Sequence, residues 1–215
     1  MIIKAVIFDL NGTILDDEDE YGKAFKKVLK RLDVKIKGEY PHTTGIGVEE
    51  NWKRFLKELK IKTEKSVEEL TLETQKEYLK LLTDVNVKSG FRDFAKNLKK
   101  EGIKIALATS NTWMVTEKVM DKFSLEDIFD VVTTSEELTF NKPDPQIFEL
   151  TAQKLDVDPW ECVVFEDSEA GITAAHLAGM KAIGVAREDG QSTKDADSVI
   201  GSYGELTRKK SQEIL

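Results

Sequence analysis

Short, continuous apolar runs recur along this chain, separated by segments in which apolar residues repeat at helical spacing. A run without polar alternation is typical of a strand that is buried on both faces of a parallel sheet. Five runs fit this description: 5–8, 103–108, 131–133, 162–165 and 182–185. Strands that alternate with helices predict βαβ units, and therefore an α/β protein with an open parallel sheet and helices on both faces.

Residues 15–87 interrupt this alternation, because they contain helical patterns and no run typical of a buried strand. In the first pattern, which begins at Tyr21, apolar residues recur every three or four positions and predict an amphipathic helix. Two further patterns of this kind follow before residue 87. We therefore expect residues 1–14 and 88–215 to form the core, with 15–87 inserted as an all-helical cap over the site.

The composition limits the classes of function. With a formal net charge of -8 over 215 residues, the chain lacks the excess of Lys and Arg with which proteins bind nucleic acid. Its single cysteine, Cys162, excludes an intramolecular disulfide and a cysteine-based zinc site, which fits a reducing compartment. No secretory signal pattern or membrane-length apolar run is present. We expect a cytoplasmic monomer that binds neither nucleic acid nor membrane.

Polar side chains stand where three of the predicted strands end. Asp9 follows the first strand, Thr109 the second and Asp167 the fourth. Ligands of open α/β sheets bind outside the carboxyl ends of the strands, so we expect these side chains to lie around one site. Lys142, immediately before a predicted helix, is a further candidate.

These residue types suit phosphoryl transfer. A phosphoryl group is anionic, so its transfer requires a nucleophile, a metal ion and further cationic or donor groups around the oxygens. Asp9 can attack phosphorus and form an aspartyl phosphate. Asp9 and Asp167 also supply the carboxylate oxygens that Mg²⁺ prefers.

Four segments resemble, in order, the four motifs of the haloacid dehalogenase-like (HAD) superfamily. They are DLNGT at 9–13, IALATSN at 105–111, NKPDP at 141–145 and VVFEDSEAG at 163–171. The chain is most similar to the β-phosphoglucomutase and phosphoglycolate-phosphatase-like branch. The resemblance implies a Rossmann-like core with a helical cap. It also implies a Mg²⁺-dependent phosphohydrolase of a small phosphorylated metabolite that works through an aspartyl phosphate.

The resemblance further implies the role of each matching residue. The catalytic residues are expected to be Asp9, Asn11, Thr109 and Lys142. The substrate-binding residues are expected to be Thr109, Ser110, Asn111 and Lys142. The metal-site residues are expected to be Asp9, Asn11 through its backbone carbonyl, Glu166 and Asp167.

Asn11 departs from the family motif, which has an Asp that protonates the leaving group and then activates water. An amide cannot exchange protons in this way. General acid–base help is worth about 10²–10⁴-fold, so we expect slow hydrolysis with phosphate binding retained. Three explanations remain open. The Asn is an introduced substitution that traps a ligand, a natural change in a slow enzyme or binding protein, or a shift to leaving groups that need no proton.

Two other functions remain open. The first is a non-catalytic protein that binds a phosphorylated metabolite or regulates another protein. The second is a sugar phosphomutase, although the His and Arg of a mutase cap correspond here to Tyr21 and Val48. Of the two histidines, His42 is a candidate for the cleft and His176 is expected to be structural.

Overall fold

The computed structural model describes residues 2–34, 42–186 and 193–206, and their elements follow the predicted alternation. The strands are β1 (Ala5–Phe8), β2 (Lys104–Ala108), β3 (Val131–Thr133), β4 (Cys162–Glu166), β5 (Lys181–Val185) and β6 (Ser198–Ile200). The α-helices are α1 (Glu18–Arg31), α2 (Val48–Glu58), α3 (Val67–Leu81), α4 (Phe91–Lys100), α5 (Trp113–Phe123), α6 (Gln146–Leu155) and α7 (Glu169–Leu177). Within the described ranges, no helix combines the length and apolar character needed to cross a membrane.

The six strands form one parallel sheet in the order β3-β2-β1-β4-β5-β6. β1 lies near the centre, where Ile7 is opposite Ala106 of β2 and Val164 of β4. The prediction of an α/β fold with an open parallel sheet is confirmed. The sequence pattern did not predict β6, because only Ile200 is buried in this three-residue strand and periodicity needs a longer run.

Helices cover both faces of the sheet, and β1 shows how. Successive strand residues point to opposite faces, so Phe8 packs in the cluster of α4 and α5 while Ile7 packs with α6 and α7. The Phe8 ring lies 5.3 Å from that of Phe91, edge to face, and stacks on Phe165 at 5.0 Å. Each such pair adds about 0.5–1.5 kcal/mol beyond its area burial. β1 is therefore a rigid base for the residue that follows it.

Helices α1, α2 and α3 form an insertion between β1 and α4, and they pack on one another. Their shared core contains the buried side chains of Phe25, Trp52 and Phe55. The indole Nε1 of Trp52 donates to Thr74 Oγ1 at 2.8 Å, which satisfies the buried N–H. These aromatic side chains belong to the same hydrophobic cluster as Phe8, so the insertion packs continuously onto the core where β1 ends.

Residues 14–16 and 86–88 join the insertion to the core and lie side by side; together they are the linker pair. The backbone N–H of Asp16 donates to the carbonyl of Asn86 at 3.0 Å, and a second bond of 2.8 Å runs back from Lys88. The chain therefore leaves and re-enters the core at one place.

Candidate active site

The carboxyl ends of the central strands bring most of the predicted site residues together. Asp9 follows β1, Thr109 follows β2, and Glu166 and Asp167 lie at the end of β4. All four side chains are buried. The backbone N–H of Asp9 donates to the carbonyl of Phe165 at 3.0 Å, which extends the ladder beyond β1 and fixes the direction of the carboxylate.

Lys142 reaches this edge from the loop before α6 and lies between two carboxylates. Its Nζ donates to Asp9 Oδ1 at 2.7 Å and to Glu166 Oε1 at 2.5 Å, and the side chains of Lys142 and Glu166 are fully buried. Burial disfavours the charged amine, but the two carboxylates hold the pKa of Lys142 above its usual value. The lysine is therefore a fixed positive charge beside Asp9.

The other oxygen of Glu166 is held by the turn that follows β4. Oε2 accepts bonds of 2.9 Å from the backbone N–H groups of Asp167 and Ser168 and from the Ser168 hydroxyl. Gly171, in the first turn of α7, leaves room for this carboxylate, since a Cβ there would lie 1.9 Å from Oε1. Glu166 is thus locked where it pairs with Lys142, a partnership that the sequence did not predict.

Asp9, Glu166 and Asp167 each offer a carboxylate oxygen, and these oxygens lie within 4.8 Å of one another. Thr13 Oγ1 donates to Asp167 Oδ1 at 3.2 Å and orients it. Burial raises the pKa of both Asp9 and Asp167 well above the usual range, Lys142 opposes the shift, and the neighbouring carboxylates add to it. Three carboxylates against one ammonium leave negative charge that a divalent cation balances. This set of oxygen donors fits Mg²⁺.

Asn11 lies at the centre of a hydrogen-bond network between the core and the insertion. Its Nδ2 donates to Asp17 Oδ2 at 2.5 Å and to the Tyr78 hydroxyl at 2.9 Å. Its Oδ1 accepts from Asn111 Nδ2 at 2.7 Å, and Asn111 Oδ1 accepts from the Tyr21 hydroxyl at 2.6 Å. The amide is therefore engaged on its donor side and on its acceptor side.

Asp17 and two stacked tyrosines complete this network. The rings of Tyr21 and Tyr78 lie 3.9 Å apart at an interplanar angle of 6°. The Tyr78 hydroxyl donates to Asp17 Oδ2, and the Gly12 N–H donates to Asp17 Oδ1 at 3.0 Å. Burial raises the pKa of Asp17 to about 6, although its hydrogen-bond donors oppose the shift. Sequence reasoning missed Asp17 and Tyr78, because neither residue lies in one of the four motifs.

A cavity of about 70 Å³ lies between this cluster and the insertion. Asp9 and Asp167 line one end, and neutral polar and apolar side chains line much of the rest. These include Tyr21, Phe25, Thr44, Val48 and Asn51, and the ring of His42 also lines the cavity.

The loop at 43–47 closes the cavity and is tied to both lobes. On the insertion side, the Asn51 side chain accepts from Thr43 N at 2.7 Å and donates to the Thr43 and Gly47 carbonyls at 2.8 Å. On the core side, the carbonyl of Gly45 accepts from Ser110 Oγ at 2.9 Å. The loop therefore links the insertion to Ser110, one of the predicted phosphate-binding residues.

The three predicted phosphate-binding residues after β2 differ in their surroundings. The Thr109 hydroxyl, buried at the strand end, accepts from the backbone N–H of Asn111 at 3.2 Å. Ser110 and Asn111 both line the cavity. Because Ser110 contacts the closing loop and Asn111 contacts Asn11, both also join the insertion to the core. Their roles toward phosphate stay predictions.

Comparisons with known proteins agree with this geometry. The sequence pattern of the family described as haloacid dehalogenase-like hydrolase matches residues 3–179. The chain is 34% identical to a beta-phosphoglucomutase of Bacillus subtilis over 95% of this chain and 92% of that protein. It is 31% identical to hexitol phosphatase B of Escherichia coli, over 96% of each. The crystal structure of CbbY from Rhodobacter sphaeroides in complex with phosphate superposes with a TM-score of 0.83, at 25% identity, over 95% of this chain and 96% of that one.

Proposed function

Because the chain belongs to the haloacid dehalogenase-like hydrolase family, we propose that it removes phosphate from a small phosphorylated sugar or polyol. The observation that carries this proposal is the position of Asp9. Its carboxylate stands at the carboxyl end of the central strand, faces the cavity and is paired with the buried ammonium of Lys142 at 2.7 Å. A nucleophile and a fixed cation are thus side by side where a phosphoryl group can enter.

In the proposed reaction, Asp9 attacks the phosphorus and the bond from phosphorus to the alcohol oxygen breaks, so that an aspartyl phosphate forms. Lys142 stabilises the negative charge on the transferred group. Thr109 and Ser110 donate to phosphoryl oxygens. Water then attacks the aspartyl phosphate, which releases inorganic phosphate and restores the Asp9 carboxylate.

We propose Mg²⁺ as the cofactor. The residues that would hold it are Asp9, Asp167 and Asn11 through its backbone carbonyl, while Glu166 acts by keeping Lys142 in place. A bound magnesium ion supplies positive charge that offsets the carboxylates and the phosphoryl oxygens. The excess negative charge of the buried cluster is the feature of this chain that supports the assignment.

Asn11 limits the rate of this reaction. Its amide has no acidic proton to give to the departing alcohol and cannot activate water. General acid–base help contributes about 10²–10⁴-fold, and the chain is expected to lack it. Esters whose alcohols are acidic enough to leave without a proton should therefore react fastest.

The lining of the cavity indicates a substrate whose alcohol part is uncharged. Away from Asp9 and Asp167, hydroxyl and amide groups such as those of Tyr21, Thr44 and Asn51 face the cavity, and no Lys or Arg is among its described lining residues. A second phosphate or a carboxylate would meet no fixed cation there, whereas the hydroxyls of a polyol would meet hydrogen-bond partners. The name of the hexitol phosphatase relative fits this class.

We further propose that residues 15–87 act as a cap that opens for substrate. The contacts of the closing loop and of Asn11 hold the insertion against the core over Asp9, so we expect the insertion to move when a sugar phosphate enters. We propose the linker pair as the hinge, because both chain segments that connect the insertion to the core lie side by side there. The cap and the core of one chain supply every group named here, so we expect a monomer to be active.

The test is Mg²⁺-dependent phosphate release from a panel of hexitol and sugar monophosphates, with phosphoglycolate as the ester whose alcohol part is charged. The variant Asp9→Asn removes the nucleophile, and Asp121→Asn serves as its matched control because Asp121 is an exposed position of α5. We expect the neutral esters to react faster than phosphoglycolate, and we expect only the Asp9 variant to lose activity.

Asn11→Asp should raise the rate toward the 10²–10⁴-fold range of acid–base help. If neither the parent nor this variant releases phosphate from any ester while both bind Mg²⁺ and phosphate, the hydrolase proposal is wrong. The chain is then a phosphometabolite-binding protein. Faster hydrolysis of phosphoglycolate than of the neutral esters would overturn the proposed substrate class alone.

A further inference from the structure

The network around Asn11 connects the two lobes of the molecule, mainly through side chains. Asn11 and Asn111 belong to the core, whereas Asp17, Tyr21 and Tyr78 belong to the insertion. Three hydrogen bonds of 2.5 to 2.9 Å join these two sets across the boundary. A further bond of 2.7 Å joins Asn111 to Asn11 within the core. The network therefore forms only when the insertion lies against the core.

The donors and acceptors run in one direction along this network. The Tyr21 hydroxyl donates to Asn111, the Asn111 amide donates to Asn11, and the Asn11 amide donates to Asp17. Tyr78 accepts from Asn11 and donates to Asp17. An ionised carboxylate only accepts, so Asp17 is the end of the chain and dictates that position 11 must donate.

We propose that Asp17 is a positioning residue, which with Tyr78 fixes the Asn11 amide so that the insertion is clamped over the phosphoryl site. An amide is needed at position 11 because it donates to Asp17 and accepts from Asn111 at once. A carboxylate there would face the Asp17 carboxylate at 2.5 Å, a distance at which two like charges cannot both be accommodated. This inference rests on the proposed function for its kinetic consequences only.

Exchanging the two residues is the sharpest test. In Asn11→Asp two carboxyl groups meet at this position, so they must separate unless one of them takes up a proton. In the double variant Asn11→Asp/Asp17→Asn, the new amide can donate to the carboxylate at position 11 while its oxygen still accepts from Gly12 N. The Tyr78 hydroxyl, already 2.9 Å from the position 11 side chain, can donate to that carboxylate. The exchange therefore keeps the hydrogen bonds between the lobes and moves the carboxylate from position 17 of the insertion to position 11 of the core.

Thermal unfolding measures the clamp without reference to activity. We expect Asn11→Asp to lower Tm by about 5 °C, Asp17→Asn to lower it by about 3 °C, and the double variant to lie within about 2 °C of the parent. The control Asp121→Asn removes one carboxylate charge at an exposed position of α5 and should leave Tm unchanged. Additive losses in the double variant would overturn the clamp, because only residues in contact show coupling of this size.

Steady-state kinetics on the best ester separates positioning from general destabilisation. Asn11→Asp should raise kcat but also raise KM several-fold, since the insertion no longer closes firmly. The double variant should keep the higher kcat and return KM to the parent value. Equal KM values for the single and double variants would overturn the positioning role.

Two further outcomes are informative. If the unfolding data show coupling but no variant turns over any ester, the clamp stands and the proposed hydrolase function fails. If both variants with Asp at position 11 fail to fold, Tyr78→Phe decides. It keeps the ring stacked on Tyr21 and removes one hydroxyl, so Tm should fall by about 3 °C; an unchanged Tm would overturn the clamp.

Discussion

Replacing Gly171 by alanine tests whether the position of Glu166 is fixed as described. Gly171 lies in α7, and a Cβ there would stand 1.9 Å from Glu166 Oε1 and 2.0 Å from Cδ, where real Cβ contacts are essentially never below 3.0 Å. The carboxylate must therefore move by about 1 Å, which breaks its 2.5 Å contact with Lys142.

Two opposing effects decide the change in the free energy of unfolding. Alanine is favoured over glycine in a helix by about 1 kcal/mol. Removing a partner from a buried ion pair costs about 3–5 kcal/mol. The loss is larger, so Gly171→Ala should destabilise the protein by about 2–4 kcal/mol. For a chain of this length, the expected fall in Tm is about 4–16 °C.

The assay is thermal unfolding by circular dichroism without added metal, followed by calorimetric titration with Mg²⁺. Thr173→Ala is the matched control, because Thr173 is an exposed position of the same helix and the substitution should be neutral or slightly stabilising. A Gly171→Ala protein that melts at or above the parent temperature and binds Mg²⁺ equally well would refute the described pairing of Glu166 with Lys142.

Two other perturbations test the closing loop and the surface of the insertion. Gly45→Ala places a Cβ 2.2 Å from Ser168 Oγ, and φ at this residue is +81°, so the loop at 43–47 must move away from the core. We expect KM for the best ester to rise about tenfold, with a smaller change in kcat. An unchanged KM would contradict the described closure. Lys80 and Arg31 lower the pKa of Glu77 to about 2, below its ordinary 4.5, so this carboxylate stabilises the fold above pH 4.5 and the contribution disappears as the pH falls toward 2. Because Arg31 and Lys80 are exposed, Glu77→Gln should lower the free energy of unfolding in urea by only about 1 kcal/mol at neutral pH. About half of this difference between parent and variant should be lost by about pH 3. A difference that does not change with pH would contradict the lowered pKa of Glu77.

The strands were predictable because their burial is continuous. Residues 5–8 and 131–133 agree with β1 and β3, and the other three runs differ from the observed strands by single residues. β6 was not predicted because Val199 is exposed and Ser198 is polar, so the sequence there contains no apolar run. The strand is defined by its pairing with β5, which is a property of the folded sheet rather than of the local sequence.

The candidate site was predictable only where one motif supplies the residue. The identities of Asp9, Lys142 and Asp167 follow from their positions after strands or before a helix. The network does not, because Asp17 and Tyr78 are 61 positions apart and meet only when α1 and α3 pack. Nothing in the sequence of the acidic run sets Asp17 apart from Asp16, and only tertiary packing distinguishes the two, by burying Asp17 while Asp16 stays exposed.

The linker pair has a consequence for how such a molecule can be rebuilt. Since the chain leaves the core at Ile14 and returns at Lys88 through a backbone hydrogen bond of 2.8 Å, the ends of the insertion are already adjacent. A short turn could join them with little loop-closure entropy, leaving the sheet and its buried charges intact. The helical lobe is therefore an exchangeable module: a different one grafted between the same two positions would present a new recognition surface to an unaltered reaction centre.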